Sequence, residues 1–173
     1  MKKWVDSHAE TRKRILSDEE YIACIADLIS SAKVLQMKSY VQHKNVTCLE
    51  HTLYVSYSSY VICKKLGLDY RSAARGGLLH DFFLYDWHQG TPYKGLHAFR
   101  HAGVALENAN KYFKLNKIEK EIIQKHMWPL NVVPPRFLES YVVLLADKFC
   151  AVVEFTNWTK RKNVRRLQYL LAC

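Results

Sequence analysis

Between Thr47 and Gly67 the chain reads TCLEHTLYVSYSSYVICKKLG, and both ends of the stretch carry helix boundaries. Thr47 followed by Glu50 is a capping box, in which the hydroxyl and the carboxylate satisfy backbone N–H groups that the first helical turn leaves unpaired. Leu53, Val55, Tyr57, Tyr60, Val61 and Leu66 run on from it, and Gly67 offers a left-handed stop. Asp69 can cap a second helix, whose Ala73, Ala74, Gly76, Gly77, Leu78 and Leu79 allow close packing before it ends near His80 and Asp81. Upstream, Ser17 and Glu20 repeat the box. Ile22, Ile25, Leu28, Ile29, Ala32 and Leu35 then recur at three- and four-residue steps, which predicts one amphipathic helix.

Downstream, Phe82 to Gly95 has no clear period and contains Gln89, Gly90, Thr91 and Pro92, the composition of a loop. Helix resumes near Leu96 and runs past His101, Val104, Ala105 and Leu106 to about Tyr112. Asn116 and Glu119 open a short helix that Trp128 and Pro129 must end, because proline lacks the N–H and crowds the preceding turn. Pro135 suits a first helical position. Phe137, Tyr141, Leu144, Leu145, Phe149, Val152 and Val153 then predict a long, well-buried helix from Arg136 to about Phe155. Strand signals do not recur. The expectation is an all-α single domain, a helical bundle of six or seven helices over residues 17–157. A segment 1–16 precedes it and a basic helix or tail 158–173 follows.

The chain has 173 residues, 49% of them apolar and 24% charged, which excludes disorder as the main state and leaves little room for two enzymatic halves. Its longest apolar run, Tyr141 to Ala146, falls far short of the ~20 residues that cross a bilayer. Met1 to Asp6 contains no apolar signal core, so the expected location is cytoplasmic, with no membrane partner. Five cysteines without a C-x-x-C suggest neither a disulfide framework nor a zinc ribbon. Of the net charge of +10, half sits in Lys160 to Cys173, which carries five bases and no acid. That tail reads either as the solvated face of a last helix or as a contact for nucleic acid, anionic lipid or a small phosphate compound.

Seven of the eight histidines (His43, His51, His80, His88, His97, His101 and His126) lie between positions 43 and 126. Imidazole is the commonest nitrogen ligand for transition metals and titrates near neutrality, so the concentration invites a metal or acid–base reading. A lone histidine in a helical protein is more often a surface or core residue, and the inference rests on the set. His51, the doublet His80 and Asp81, His101, His126 and Asp147 each fall on a different predicted helix or at a helix end. Helices gathered into a bundle can each project one or two ligands toward a common centre. Asp147 follows an apolar run, where a carboxylate is costly unless paired or metal-bound.

This series resembles the HD superfamily of metal-dependent phosphohydrolases over about 110 residues, from His43 to Glu154. EHTLYV at Glu50 to Val55 is similar to the first-histidine helix of that family, LLHD at Leu78 to Asp81 to its namesake doublet, and LLADK at Leu144 to Lys148 to its last aspartate. The resemblance implies that His51, His80, Asp81 and Asp147 hold one metal. It also implies that His101 and His126 match positions holding a second ion in dinuclear members, with Asp81 bridging and with His80 and Asp81 central to catalysis. His97 lies four residues before His101 on the same helical face and competes for that role. The setting RHAGVALENA favours His101, since it resembles a His-Pro segment of the family with Ala102 in place of the proline. Phe82, Phe83 and Leu84 replace the GYP signature of cyclic-dinucleotide esterases, and Tyr85, Asp86 and Trp87 stand where alarmone hydrolases carry a Glu-Asp pair.

Independently of the family, one or two divalent ions lower the pKa of a bound water toward about 7 and neutralise the phosphoryl oxygens it attacks. Mixed nitrogen and oxygen donors suit iron, manganese, cobalt, nickel or zinc better than magnesium. His43, Arg75, His97 and Lys148 are candidates for contacting a small phosphorylated substrate such as a nucleotide, each with a structural role as the alternative. Tyr85, Asp86, Trp87 and His88 are placed at the rim of the cavity. Two rival functions stand beside the hydrolase: a dinuclear-iron oxygenase of the same superfamily, and a non-catalytic domain that binds nucleotide or nucleic acid through the basic tail.

Overall fold

The computed structural model describes residues 18–43 and 46–156, with the backbone alone at His43 and Thr156. The segments expected at 1–16 and 158–173, with Ser17, lie outside the described residues. Helix formation follows the local signals closely. The Thr47–Glu50 box is complete: Thr47 Oγ1 accepts from the Glu50 N–H at 3.3 Å, and the Thr47 N–H donates back to the Glu50 carboxylate at 2.8 Å. Asp69 caps its helix from 2.9 Å, and Asn116 and Glu119 form a second full box. Gly67, at φ +69°, closes its helix in the left-handed region, where a side chain would be strained.

Seven α-helices result among the described residues: α1 (Glu19–Ile29), α2 (Ala32–Leu35), α3 (Cys48–Leu66), α4 (Tyr70–Leu79), α5 (His97–Tyr112), α6 (Lys117–Lys125) and α7 (Leu138–Thr156). The mostly helical architecture is the expected one, with four differences. The cap of α1 is Asp18, which accepts from the Tyr21 N–H at 3.0 Å, one residue beyond the expected Ser17. The single helix expected through Leu35 breaks at Ser30 and Ser31. There the Ser30 hydroxyl turns back to the Ala26 carbonyl and Ser31 caps α2, the usual competition of serine side chains with the helical backbone. A short antiparallel hairpin, β1 (Val41–His43) with β2 (Val46–Thr47), precedes α3, with an irregular register between Val41 and His43. Finally, α7 starts at Leu138 and not around Pro135. Its approach is held by Glu121, which accepts from the N–H groups of Arg136 and Phe137 at 2.7 and 2.9 Å and from the Ser140 hydroxyl at 3.2 Å.

The centre of the bundle is α4, which packs against α1, α3, α5, α6 and α7. Its small residues make this possible. A Cβ on Gly77 would lie 3.0 Å from the Ser56 Cα of α3, and one on Gly76 would meet the Ile122 side chain of α6 at 2.8 Å. The main core joins Tyr21, Leu28, Leu49, Leu53, Tyr57, Leu78, Leu79, Phe82 and Phe83. A second cluster of Val55, Ala73, Ile122, Val143 and Ala146 fills the space between α3, α4, α6 and α7. Burial of α7 is one-sided: Leu145, Phe149 and Val152 are 65%, 70% and 62% exposed, so the well-buried helix expected there carries part of its apolar pattern outward. No described helix is long and apolar enough to cross a membrane. The outcome of this packing is that the C-terminal end of α4, with His80 and Asp81, is delivered fully buried into the middle of the fold.

Candidate metal centre

Four further elements aim polar side chains at that buried end. His51 comes from the first turns of α3, His101 from α5, His126 from the residue capping α6, and Asp147 from the middle of α7. All six side chains are buried, and they form two adjoining groups of three that could hold metal ions: His51, His80 and Asp147, and Asp81, His101 and His126. Within each group the potential ligand atoms lie within 4.8 Å of one another. His51 Nε2 lies 3.0 Å from Asp147 Oδ1, which is 3.7 Å from His80 Nε2. Asp81 sits between the groups, with Oδ2 at 3.3 Å from His80 Nε2 and Oδ1 at 3.4 and 3.5 Å from the Nε2 atoms of His101 and His126.

The backbone sets the tautomers. His80 Nδ1 donates to the Gly77 carbonyl at 2.7 Å, His101 Nδ1 to that of His97 at 2.9 Å, and His126 Nδ1 to that of Ile123 at 2.8 Å. A carbonyl only accepts, so Nδ1 carries a hydrogen in each ring and Nε2 points inward, the orientation typical of metal-ligating histidines. His101 Nε2 and His126 Nε2 are only 2.9 Å apart. Two bare lone pairs at that distance repel unless a proton or a cation lies between them. Burial, followed by the neighbouring His80 and His101 rings, pushes the His126 pKa down to about 3, so this ring does not supply the proton near neutrality. His80 Nε2 and Asp81 Oδ1 are buried and have no hydrogen-bond partner among the described residues. Two mixed nitrogen and oxygen sets of this kind could hold metal ions.

The other group is tied up by protons. Burial opposes charge on His51, but its hydrogen bonds to Asp147 and to Glu154, the latter 3.0 Å from Nδ1, raise its pKa to about 10. Burial likewise opposes charge on His80, and the carboxylates of Asp81 and Asp147 raise it to about 9. Desolvation would raise both aspartates, yet their imidazole neighbours hold the two carboxyls well below the usual range.

The proposed phosphate contacts divide. Lys148 joins the centre, its ammonium 2.9 Å from Asp147 Oδ2 and 48% exposed. His97 lies behind the candidate ligands, stacked on the His101 ring at 4.6 Å and beneath the Trp87 ring at 5.1 Å. It bonds Tyr85 Oη at 2.9 Å, and burial lowers its pKa to about 4. Tyr85 and Trp87 thus cover the His101 side, on a loop where Leu84 adopts φ +59°. Arg75 corrects the expectation. Its guanidinium is buried and bonded to Glu119 at 2.7 Å and to Asp27, so it joins α1, α4 and α6 and is not offered to a phosphate. The His43 side chain lies outside the described residues.

Three residues at the centre escaped the sequence reading. Gln42 donates from Nε2 to Asp81 Oδ2 at 2.5 Å, Cys48 Sγ contacts the Asp81 carbonyl at 3.3 Å, and Glu154 bonds His51. Of these only Glu154 had a usable signal, since it lies two helical turns beyond Asp147 and on the same face. No protein-family model, curated protein or solved structure matches the chain.

Proposed function

We propose that the chain is a hydrolase of the HD-domain type that uses two divalent transition-metal ions to cleave a small phosphoester such as a nucleotide. The observation that carries this reading is the convergence of six buried candidate ligands from five helices or helix ends, with His80, His101 and His126 each anchored through Nδ1 to a backbone carbonyl so that Nε2 faces inward. His51, His80 and Asp147 would hold one ion and Asp81, His101 and His126 the other, drawn from iron, manganese, cobalt, nickel and zinc. Ions so bound supply an activated water and neutralise phosphoryl charge. The chain contributes the rest. Glu154 orients His51, Asp81 gives one carboxylate oxygen to each group, and Lys148 places a half-exposed positive charge at the edge where a phosphate would enter. The four described cysteines are free thiols, which suits the reducing cytosol.

The test is to express the protein in iron- and manganese-replete medium and purify it without chelator. Elemental analysis is then followed by assay on phosphomonoester, phosphodiester and nucleotide panels. Bound metal and hydrolysis that both disappear with His80→Ala or Asp81→Ala support the reading. Metal-free protein, or full activity in either variant, overturns it.

A further inference from the structure

We infer that Gln42 is a positioning residue of this centre, holding the Asp81 carboxylate so that it shares its two oxygens between the two groups of ligands. The inference rests on the metal reading above. Gln42 reaches Asp81 from β1, 39 residues away in sequence, and is only 8% exposed. It stands where the hairpin register is irregular, between the pairs Val41 with Thr47 and His43 with Val46. Irregularities of this kind re-aim a side chain out of the ladder. The amide must turn its NH2 to Asp81, because an ionised carboxylate only accepts. Its Oε1 is buried with no hydrogen-bond partner among the described residues. A buried carbonyl without a partner among these residues costs stability, which sets Gln42 apart from an ordinary core amide.

The geometry of Asp81 gives the clamp its consequence. The terminal torsion of aspartate is soft, so an unrestrained carboxylate can turn both oxygens to one ion. With Oδ2 held by Gln42 at 2.5 Å and facing His80 at 3.3 Å, Oδ1 is left to His101 and His126. Gln42 thereby couples the two groups through one bridging side chain, and its loss strikes the Asp81, His101 and His126 group first.

The experiment titrates metal-free wild-type protein, Gln42→Met and Gln42→Leu with Co2+. Stoichiometry is counted by dialysis, and the paramagnetic resonance of the loaded protein reports coupling between ions. Wild type is expected to take up two ions with an exchange-coupled signal. Each variant, folded by circular dichroism, is expected to keep one ion at wild-type affinity, to bind the other about 10- to 100-fold more weakly, and to show uncoupled cobalt. Two variants guard against one failing to fold. Wild-type affinities and coupling in both variants overturn the inference and leave the metal centre standing, as does equal loss of both ions, which would mark Gln42 as a support of the hairpin alone. A wild-type protein that takes up no cobalt overturns the metal reading and this inference together.

Discussion

Raising the pH of the metal-free protein should unfold it more easily, and bound metal should abolish that sensitivity. His51 and His80 have pKa values raised from 6.5 to about 10 and about 9. A group whose pKa is raised on folding contributes stability that is complete below the unfolded value, and it is lost as pH climbs through the folded value. The window here is about pH 6.5 to 10. A tenfold gain in proton affinity on folding is worth about 1.4 kcal/mol, so the two rings together put several kcal/mol at stake. Coupling between them through shared Asp147 argues for the lower part of that range. On a domain of this size about 4 kcal/mol lowers the melting temperature by roughly 10 °C. The general effect of charge runs the other way, since a net charge of +10 relaxes toward zero as pH rises. Melting curves of metal-free protein at half-unit steps from pH 6 to 10, repeated with saturating Co2+, read both effects. The metal-free melting temperature should fall across the window while the gain on adding metal grows, because the ion takes the place of the displaced protons. A metal-free profile that is flat or rising over pH 6.5 to 10 would refute the assignment of charged imidazoles to this centre.

Other substitutions separate scaffold from site. Arg75→Met should cost about 3–5 kcal/mol in urea unfolding, because it leaves the buried Glu119 carboxylate without its partner, yet the folded variant should retain its full metal content. Gly76→Ala should destabilise by about 1–3 kcal/mol, measured in the same way, since the new methyl meets Ile122 at 2.8 Å. Thr47→Ala should lower stability by about 1 kcal/mol through loss of the α3 cap, with metal affinity reduced only as far as the first turn of α3 frays near His51.

What the sequence disclosed and what it hid have physical causes. The boundaries of α3, α4 and α6 were legible because a cap is a local device: Thr47, Asp69 and Asn116 act on N–H groups three residues away. The break at Ser30 and Ser31 was not, since Ile29, Ala32 and Leu35 continue the apolar period across it. The hairpin pairs three residues with two, too few for alternation to register. For the site, the histidine and aspartate types and their distribution over separate helices announced the buried cluster. Arg75 misled because proximity in sequence says nothing about direction: five residues before His80 it faces Glu119 and Asp27. Gln42 was hidden for the opposite reason, a neutral amide whose meaning comes entirely from the carboxylate it meets across 39 residues of chain.

The measurement that bears most directly on the central claim is an anomalous-scattering map from crystals of the protein purified without chelator and grown without added metal. Two peaks about 3.5–4 Å apart are predicted. One should lie within bonding distance of His51, His80 and Asp147, and the other of Asp81, His101 and His126. A map with no peak at these six side chains, refined with His101 and His126 still in contact through Nε2, would contradict the account.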